Sequence, residues 1–570
     1  MKKALSLAMA VVMIVLSVTL SACSNSSSNS TPASSVTPAS SSGSSAETVS
    51  HDPFEKYSTP VTLTAVLGAD APEETSVPAG MTPETNTFIQ ICKDKLNVDI
   101  QFLWATTTAQ YEQKLQLSMS SGQMPDILEA EGDTFQRLIN TDSLADLTQA
   151  YNDYALEDIK NDFKQADDLP LEAATRDGKI YGIPYWSDTR QDLQILYIRQ
   201  DWLDNLNLQP PKTMQDVENI ARAFVKDDPD QNGNADTYGL GATKNTISAW
   251  FAGLAPFFFA YHAYPNTWPK DSTGNLVYGA IQPETKNALA ALQSWYSEGL
   301  LDREFATKDE NQILEDVAGG KIGLLFGSWW QSNMPQLFQI ADKDGGPVWK
   351  AYPLVSADST PVSQAMNRVN VSYYNVVTKQ CKNPEAMIKV LNLYWDCLFN
   401  KDPETRYGDS VLPKNGFVHN YIPVDIYPGA TQHTDFVVVN QALDANDPSL
   451  IITQEEQKCY DYAKNYLASK KTGQDWGYYY SRIAKDGAWG VTEDIYNQGN
   501  FVYNEFFGPT TQTAVKKGET LSSMKAEVFL NIIMGAPISE FDKFVTDWKS
   551  LGGDEITKEV NDWYQKNKTT

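Results

Sequence analysis

Histidine and cysteine are scarce in this chain. Its 570 residues include 4 His (His51, His262, His419, His433), all far apart, and 5 Cys. Cys92, Cys381, Cys397 and Cys459 form no CxxC or zinc spacing, which argues against a transition-metal site and leaves any disulfide open. Basic charge is also short. Against 72 Asp and Glu stand 45 Lys and Arg, a formal net charge of −27. Such a balance disfavours nucleic acid and an electrostatic hold on anionic lipid. An acidic polymer is an awkward ligand unless a local basic pocket overrides the global field. No Ser/His/Asp set, nucleophile elbow or metal triad stands out.

What is abundant is aromatic and apolar. Hydrophobic residues make up 42% and aromatics 11%, with 14 Trp and 28 Tyr, as in a globular protein. The length exceeds one ordinary core, so two or three domains are expected. At the N-terminus, Lys2 and Lys3 precede an apolar run from Ala4 to Leu20 that ends in Leu20-Ser21-Ala22-Cys23. This reads as a secretory signal over residues 1–22, with Cys23 in the lipobox position for acylation. A short transmembrane anchor is the alternative, but the run is at the low end of spanning length. Residues 23–57 follow as a Ser-rich tether with almost no large apolar residue to order it.

From Pro60 the pattern changes. Pro60–Leu67 reads as a strand, Thr85–Leu96 as a helix closing on Asn97, and Val98–Trp104 as a second strand. A helix over Ala109–Ser121 and a strand over Pro125–Glu129 complete a strand–helix alternation that predicts a parallel α/β sheet. Ligands of such sheets sit beyond the carboxyl ends of the strands, here near Trp104 and Glu129–Asp133. Downstream, Thr213 reads as a helix N-cap, and Pro283–Gly299 as a helix. Most of the cluster Trp250, Phe251, Phe257–Phe259, Tyr261, Tyr264 and Trp268 should be core. A helix through Glu315 ends in Gly319-Gly320, and the strand Lys321–Phe326 opens onto Gly327-Ser328-Trp329-Trp330. Residues 400 to about 520 read as an aromatic-rich insert of helix and loop, and Met524–Trp563 as closing helices.

The densest coordination chemistry is Asp228-Pro-Asp230-Gln-Asn232-Gly233-Asn234-Ala-Asp236. Oxygen-bearing side chains occupy positions 1, 3, 5 and 9 and glycine position 6, the spacing of an EF-hand calcium loop. Position 12 is Gly239 rather than a bidentate Glu. The alternative is a solvated Asp/Asn/Gly turn between a helix and a strand.

Three stretches together resemble family 1 extracellular solute-binding proteins, the substrate-capturing lipoproteins of ABC sugar importers. They are Gly178-Lys-Ile-Tyr-Gly-Ile-Pro184, the junction Leu196-Tyr-Ile-Arg-Gln-Asp-Trp-Leu203, and Pro210-Pro-Lys-Thr-Met-Gln-Asp216. The resemblance spans nearly all of the chain after residue 58. Around the Asp-rich loop it is to the large calcium-containing branch, which includes binding proteins for alginate oligosaccharides. It implies Ca2+ held by Asp228, Asp230, Asn232, Asn234 (backbone) and Asp236, with Thr237 where that branch has a further acidic residue. The implied fold is α/β, with two periplasmic-binding-protein-like lobes, a hinge and a central ligand cleft. Lobe 1 would comprise residues 58–190 and about 372–500, lobe 2 residues 191–371 with the calcium loop at 228–239, and residues 501–570 helices completing the lobes.

The resemblance implies an oligosaccharide ligand, ABC permease partners, a lipid-anchored place on the extracellular face of the cell membrane, and a monomer. The Gly-x-Trp element puts Trp329 where such proteins stack a ring on sugar, with Trp330 beside it. A pyranose packs its C–H faces on aromatic planes and directs its hydroxyls to polar side chains. Trp186, Trp250 and Trp476 are further stacking candidates, and Asp126, Glu129, Asp188 and Arg368 are candidates for hydroxyl contacts. Trp104 is expected to be half-buried. Two other readings remain: a secreted glycoside hydrolase, which needs two carboxylates across the bond, and a surface sugar receptor serving a signalling partner.

Overall fold

The computed structural model describes residues 51–69, 82–399 and 421–567. Cys23, the signal segment and nearly all of the tether lie outside them. In chain order the strands are β1 (Val61–Gly68), β2 (Val98–Thr106), β3 (Ile127–Ala130), β4 (Thr175–Arg176), β5 (Lys179–Ile180), β6 (Ile183–Ser187) and β7 (Gln194–Arg199). There follow β8 (Tyr238–Leu240), β9 (Ile322–Ser328), β10 (Trp349–Tyr352), β11 (Gln364–Asn367), β12 (Asn370–Val377) and β13 (Phe501–Asn504).

The first lobe is built on a five-stranded sheet ordered β2-β1-β3-β12-β6. β1 is parallel to β2 and β3, as the alternation predicts. β12 runs antiparallel to both β3 and β6, so the sheet is mixed. The reason is topological: β6 leaves this lobe and β12 returns to it. β1 lies between two strands and buries Leu63, Ala65, Val66 and Leu67 on both faces, while the edge strand β2 alternates buried and exposed positions. The helix expected over Thr85–Leu96 is present in three pieces. The Asn86 carboxamide caps it, accepting from the Ile89 amide at 3.0 Å, and the chain leaves at Asn97 with φ 59°.

The second lobe holds a four-stranded sheet ordered β10-β7-β9-β8. Helix Met214–Lys226 covers it. Its start is a capping box in which the Asp216 amide donates to Thr213 Oγ1 at 3.2 Å and the Thr213 amide donates to Asp216 Oδ2 at 3.0 Å. Phe224 and Trp202 pack so closely on β9 that no Cβ fits at Gly323. The apolar residues Phe257, Phe258, Leu292, Trp295, Phe529, Phe541, Phe544 and Trp548 share this lobe's core. The C-terminal helices therefore complete the second lobe, rather than both.

The chain passes between lobes at residues 188–193, at 367–370 and at 427–431. These passages are tied together. Asn370 and Asn367 donate to Asp192 Oδ2 at 2.9 and 3.3 Å, and the Asp188 amide donates to the Gly429 carbonyl at 3.0 Å. The third passage corrects the expected boundaries. Helices Thr431–Ala445, Gln454–Ser469, Gln474–Arg482 and Ala488–Gln498 do not belong to lobe 1. Trp476, Tyr480, Ala488 and Trp489 are buried with Ile195, Tyr197 and Trp349 of the second sheet. Only the part up to about residue 430 joins lobe 1, where Ile422, Val424, Ile426 and Ala430 enter its core.

Candidate functional site

Strand direction brings the working ends of both sheets to the passages. Ser187, at the carboxyl end of β6, pairs with Asn370, and Ala130 of β3 pairs with Tyr374. In the other lobe Ser328, the carboxyl end of β9, pairs with Gln194 at the start of β7. Loops that follow β3, β8 and β9 thus converge on the region between the lobes, where open α/β sheets bind ligands.

Two cavities flank the passages. The first, of about 250 Å3, has Asp158, Gln165, Trp395 and Phe399 of the first lobe on one side. Facing them are Tyr427 and Pro428 of the third passage, and Thr431, Asp435 and Glu455 from helices packed on the second lobe. Aromatic walls and carboxylates therefore meet in one space. Asp435 is 2% exposed, and its Oδ2 has no hydrogen-bond partner among the described residues. Burial, with Glu455 nearby, pushes its carboxyl up to about 8 while Arg482 pulls the other way. The second cavity, also about 250 Å3, is lined by Trp186, Asp188, Arg190, Asn367, Arg368, Asn370, Tyr496 and Tyr503. It is more polar, and both of its arginines are paired. Arg190 pairs with Asp188, and Arg368 donates to Glu505 at 2.9 Å while lying 4.0 Å from the centre of the Tyr503 ring.

The expected site residues divide. Trp186, Asp188 and Arg368 come together in the second cavity. Trp186 is nonetheless a buried wall whose Nε1 donates to Asp162 at 2.6 Å. Burial holds the Asp162 carboxyl up at about 7, against the opposing bonds from Trp186 and the Gly429 amide. Trp250 and Trp330 also come together. Their rings stack at 6.2 Å and 17°, and Trp250 is 49% exposed, a ready aromatic face beside the carboxyl ends of β8 and β9.

Four expectations fail on burial or position. Trp476 is 1% exposed and stacks on Tyr480 inside the core. Trp329, 6% exposed, meets Trp489 edge-on at 5.2 Å with the Arg482 guanidinium 5.1 Å from its ring centre. It shapes the floor beneath the helices rather than offering a face. Asp126 sits at the amino end of β3, the end away from the passages, where Oδ2 accepts from the Thr64 amide and hydroxyl at 2.8 and 2.6 Å. Glu129 lines neither cavity and lies near Asp425, and burial and that neighbour push its carboxyl up. Trp104 is half-buried, donating to Ser118 Oγ at 2.9 Å.

Sequence reading missed Trp395, Phe399, Tyr427, Asp435 and Glu455. None carries a local signal: Trp395, Phe399, Asp435 and Glu455 are the ordinary content of helices, and Tyr427 stands in an irregular segment.

The Asp-rich loop has the geometry of a folded turn. Gly233 has φ +81°, which favours glycine at position 6. Asn232 Nδ2 donates to Asp230 at 2.8 Å and Asp236 at 3.3 Å, and the Asn232 and Gly233 amides donate to Asp228 at 3.1 Å. Two carboxylates converge on the Asn232 carboxamide and a third on the adjacent backbone amides, and Asp230 is raised by burial and by Asp228 and Asp236. Among the described residues no group of three His, Cys, Asp or Glu is already arranged to hold a metal.

The family model for bacterial extracellular solute-binding proteins matches residues 74–394, more than half of the chain. The chain belongs to this family. Among the relatives of this solute-binding protein, lipoprotein LipO of Bacillus subtilis is 24% identical over 489 residues, 82% of this chain and 87% of the relative. The polygalacturonan/rhamnogalacturonan-binding protein YtcQ of the same organism is 23% identical over 85% of this chain and 89% of its own. A solved structure of the S. pneumoniae ABC-transporter substrate-binding protein FusA, an EF-hand mutant in complex with fructo-nystose, superposes with a TM-score of 0.57. It is 17% identical, covers 89% of this chain and 99% of that one, and shares the two-lobe fold. No helix among the described residues is long and apolar enough to cross a membrane.

Proposed function

We propose that this solute-binding protein captures an oligosaccharide between its lobes and delivers it to the permease of an ABC transporter. The observation that carries this is the first cavity, where the half-buried rings of Phe399 and Tyr427, backed by the buried Trp395, stand beside Asp158, Asp435 and Glu455 across the third passage. Rings supply faces for C–H surfaces, and carboxylates accept from hydroxyls. The stacked pair Trp250 and Trp330 extends the aromatic surface on the second lobe. Ligand bridging the two lobes would favour a closed arrangement about the three passages, and the permease would read that arrangement. The sugar-binding name of YtcQ and the sugar bound to FusA support this reading.

No bond is broken in this mechanism. Incubating the protein with plant and bacterial cell-wall oligosaccharides, with thermal-shift and product analysis side by side, tests it. Stabilisation with intact sugar is expected, and released product would instead support a hydrolase.

Three further parts belong to the same proposal. Cys23 carries the lipid that holds the protein at the extracellular face of the membrane, and the protein works as a monomer. Ca2+ is the structural cofactor of the loop from Asp228 to Asp236. The oxygens of Asp228, Asp230, Asn232 and Asp236 are already within hydrogen-bond reach of Asn232 or its neighbour, so the donor set suits a hard dication that binds oxygen. Bound there, the ion would clip helix Met214–Lys226 to β8.

A further inference from the structure

Resting on the sugar-binding reading, we infer that the first cavity selects an oligosaccharide bearing a free, protonated amine, such as a glucosamine unit. Its lining contains Asp158, Asp162, Asp435, Glu455 and Glu456, and no Lys or Arg among the described lining residues. Two of these acids are already committed. Asp162 accepts from the Trp186 indole and the Gly429 amide, and Glu456 accepts from the Ile452 and Thr453 amides at 2.7 and 2.8 Å. Asp158 and Glu455 are more open to solvent.

Asp435 is different. It lines the cavity, is 2% exposed, and its Oδ2 lacks a hydrogen-bond partner among the described residues. A buried carboxylate oxygen without a donor is costly, and an ammonium group answers it with both charge and up to three donors. The rings of Trp395, Phe399 and Tyr427 suit the same ligand, because aromatic faces attract cations and also accept pyranose C–H surfaces. The nearby Arg482 makes no hydrogen bond to Asp435: its Nη1 donates to Gln432 at 2.6 Å and lies 3.9 Å from Glu455, its guanidinium lies over Trp329 and Tyr478, and its Nε has no partner among the described residues. Its charge offsets part of the acidic field, and an ammonium supplies the donor that Asp435 Oδ2 lacks. A uronic acid would bring a further negative charge into this acidic space.

Binding also moves a proton. The groups acting on Asp435 are Glu455 and Glu456, which raise its carboxyl, and Arg482, which lowers it, over the dominant effect of burial. An entering ammonium favours the ionised carboxylate, so protons held near neutral pH are released on binding.

The test is titration calorimetry of the full chain at pH 7 with four trisaccharides. They are β-linked glucosamine with free amines, its N-acetylated form, the neutral glucose analogue and trigalacturonate. The free-amine sugar is expected to bind at least tenfold tighter than the others, with proton release visible as a buffer-dependent heat. In Asp435→Asn the advantage of the free-amine sugar over the N-acetylated one should shrink towards one, and the buffer-dependent heat should disappear. Equal or tighter binding of the N-acetylated, neutral or acidic sugar by the unaltered chain would overturn the amine selectivity and leave the sugar reading standing. Absence of binding in all four arms and across a glycan array would remove the sugar reading itself.

Discussion

Replacing Gly429 by alanine tests how the lobes are joined. Gly429 lies in the third passage with its amide on Asp162 and its carbonyl accepting from the Asp188 amide. A Cβ there would stand within 2.5 Å of three atoms of the Trp186 indole, where ordinary contact begins at 3.4 Å. The ring or the passage must shift by about 1 Å. Trp186 is 3% exposed and fixed by its bond to Asp162, so neither movement is cheap. Overpacking of this kind costs about 1–3 kcal/mol. Losing the indole–carboxyl bond adds about 1 kcal/mol, so Gly429→Ala should destabilise the protein by about 2–4 kcal/mol. The assay is urea unfolding of the variant beside the unaltered chain, with Trp186→Ala and the double variant completing a cycle. Because the clash requires the indole, the double variant should lose less than the sum of the two, with a coupling of about 1 kcal/mol or more. An unchanged unfolding midpoint for Gly429→Ala, or simple additivity, would refute the proposed packing of the passage.

Trp329→Ala, by emptying a core position, should cost about 3–5 kcal/mol of stability; a melting temperature equal to the parent would contradict its burial. Trp250→Ala should leave stability within about 0.5 kcal/mol yet weaken sugar binding more than tenfold, and calorimetry showing the parent affinity would remove Trp250 from the site. Asp162 and Asp435, raised by burial from 3.8 to about 7 and about 8, keep protons in the folded state that the unfolded chain has already shed. Their contribution is fully present below the unfolded value and is lost as pH rises through 7 and 8, up to about 1.4 kcal/mol per pH unit per group. Melting should therefore come earlier at pH 8.5 than at pH 5, more weakly so in Asp162→Asn, and a flat or rising profile would count against it. Chelation of Ca2+ should lower the melting temperature, and Asp230→Ala should abolish that response; an identical melt with and without chelator would make the loop a turn only.

Much of the local structure was legible because its causes are local. The Thr213–Asp216 capping box, the Asn97 helix exit, the apolar strand β1 and the turn at Gly233 each depend on residues within a few positions. The order of strands and helices followed from their periodicity, and the resemblance carried by Gly178–Pro184 and Pro210–Asp216 pointed to the two-lobe family. Selection among the tryptophans was not legible. Trp329 and Trp330 are adjacent, yet one is closed over by Trp489 and Arg482 while the other stacks on the exposed Trp250. That difference is made by helices more than a hundred residues downstream. Likewise, Asp126 and Glu129 lie on one short segment, but strand direction puts Asp126 just before the amino end of β3, away from the lobe passages.

The sequence alone determined elements, caps and the spacing of oxygen-bearing side chains from Asp228 to Asp236, because each is written in short-range sterics, hydrogen bonding and hydrophobic period. Only the tertiary structure decided that residues 431–498 fold onto the second lobe and bring Asp435 and Glu455 opposite Trp395 and Phe399. Burial and partnership are properties of the packed whole. Whether a carboxylate such as Asp435 is left with an oxygen lacking a donor is decided by the distant elements that exclude water from it.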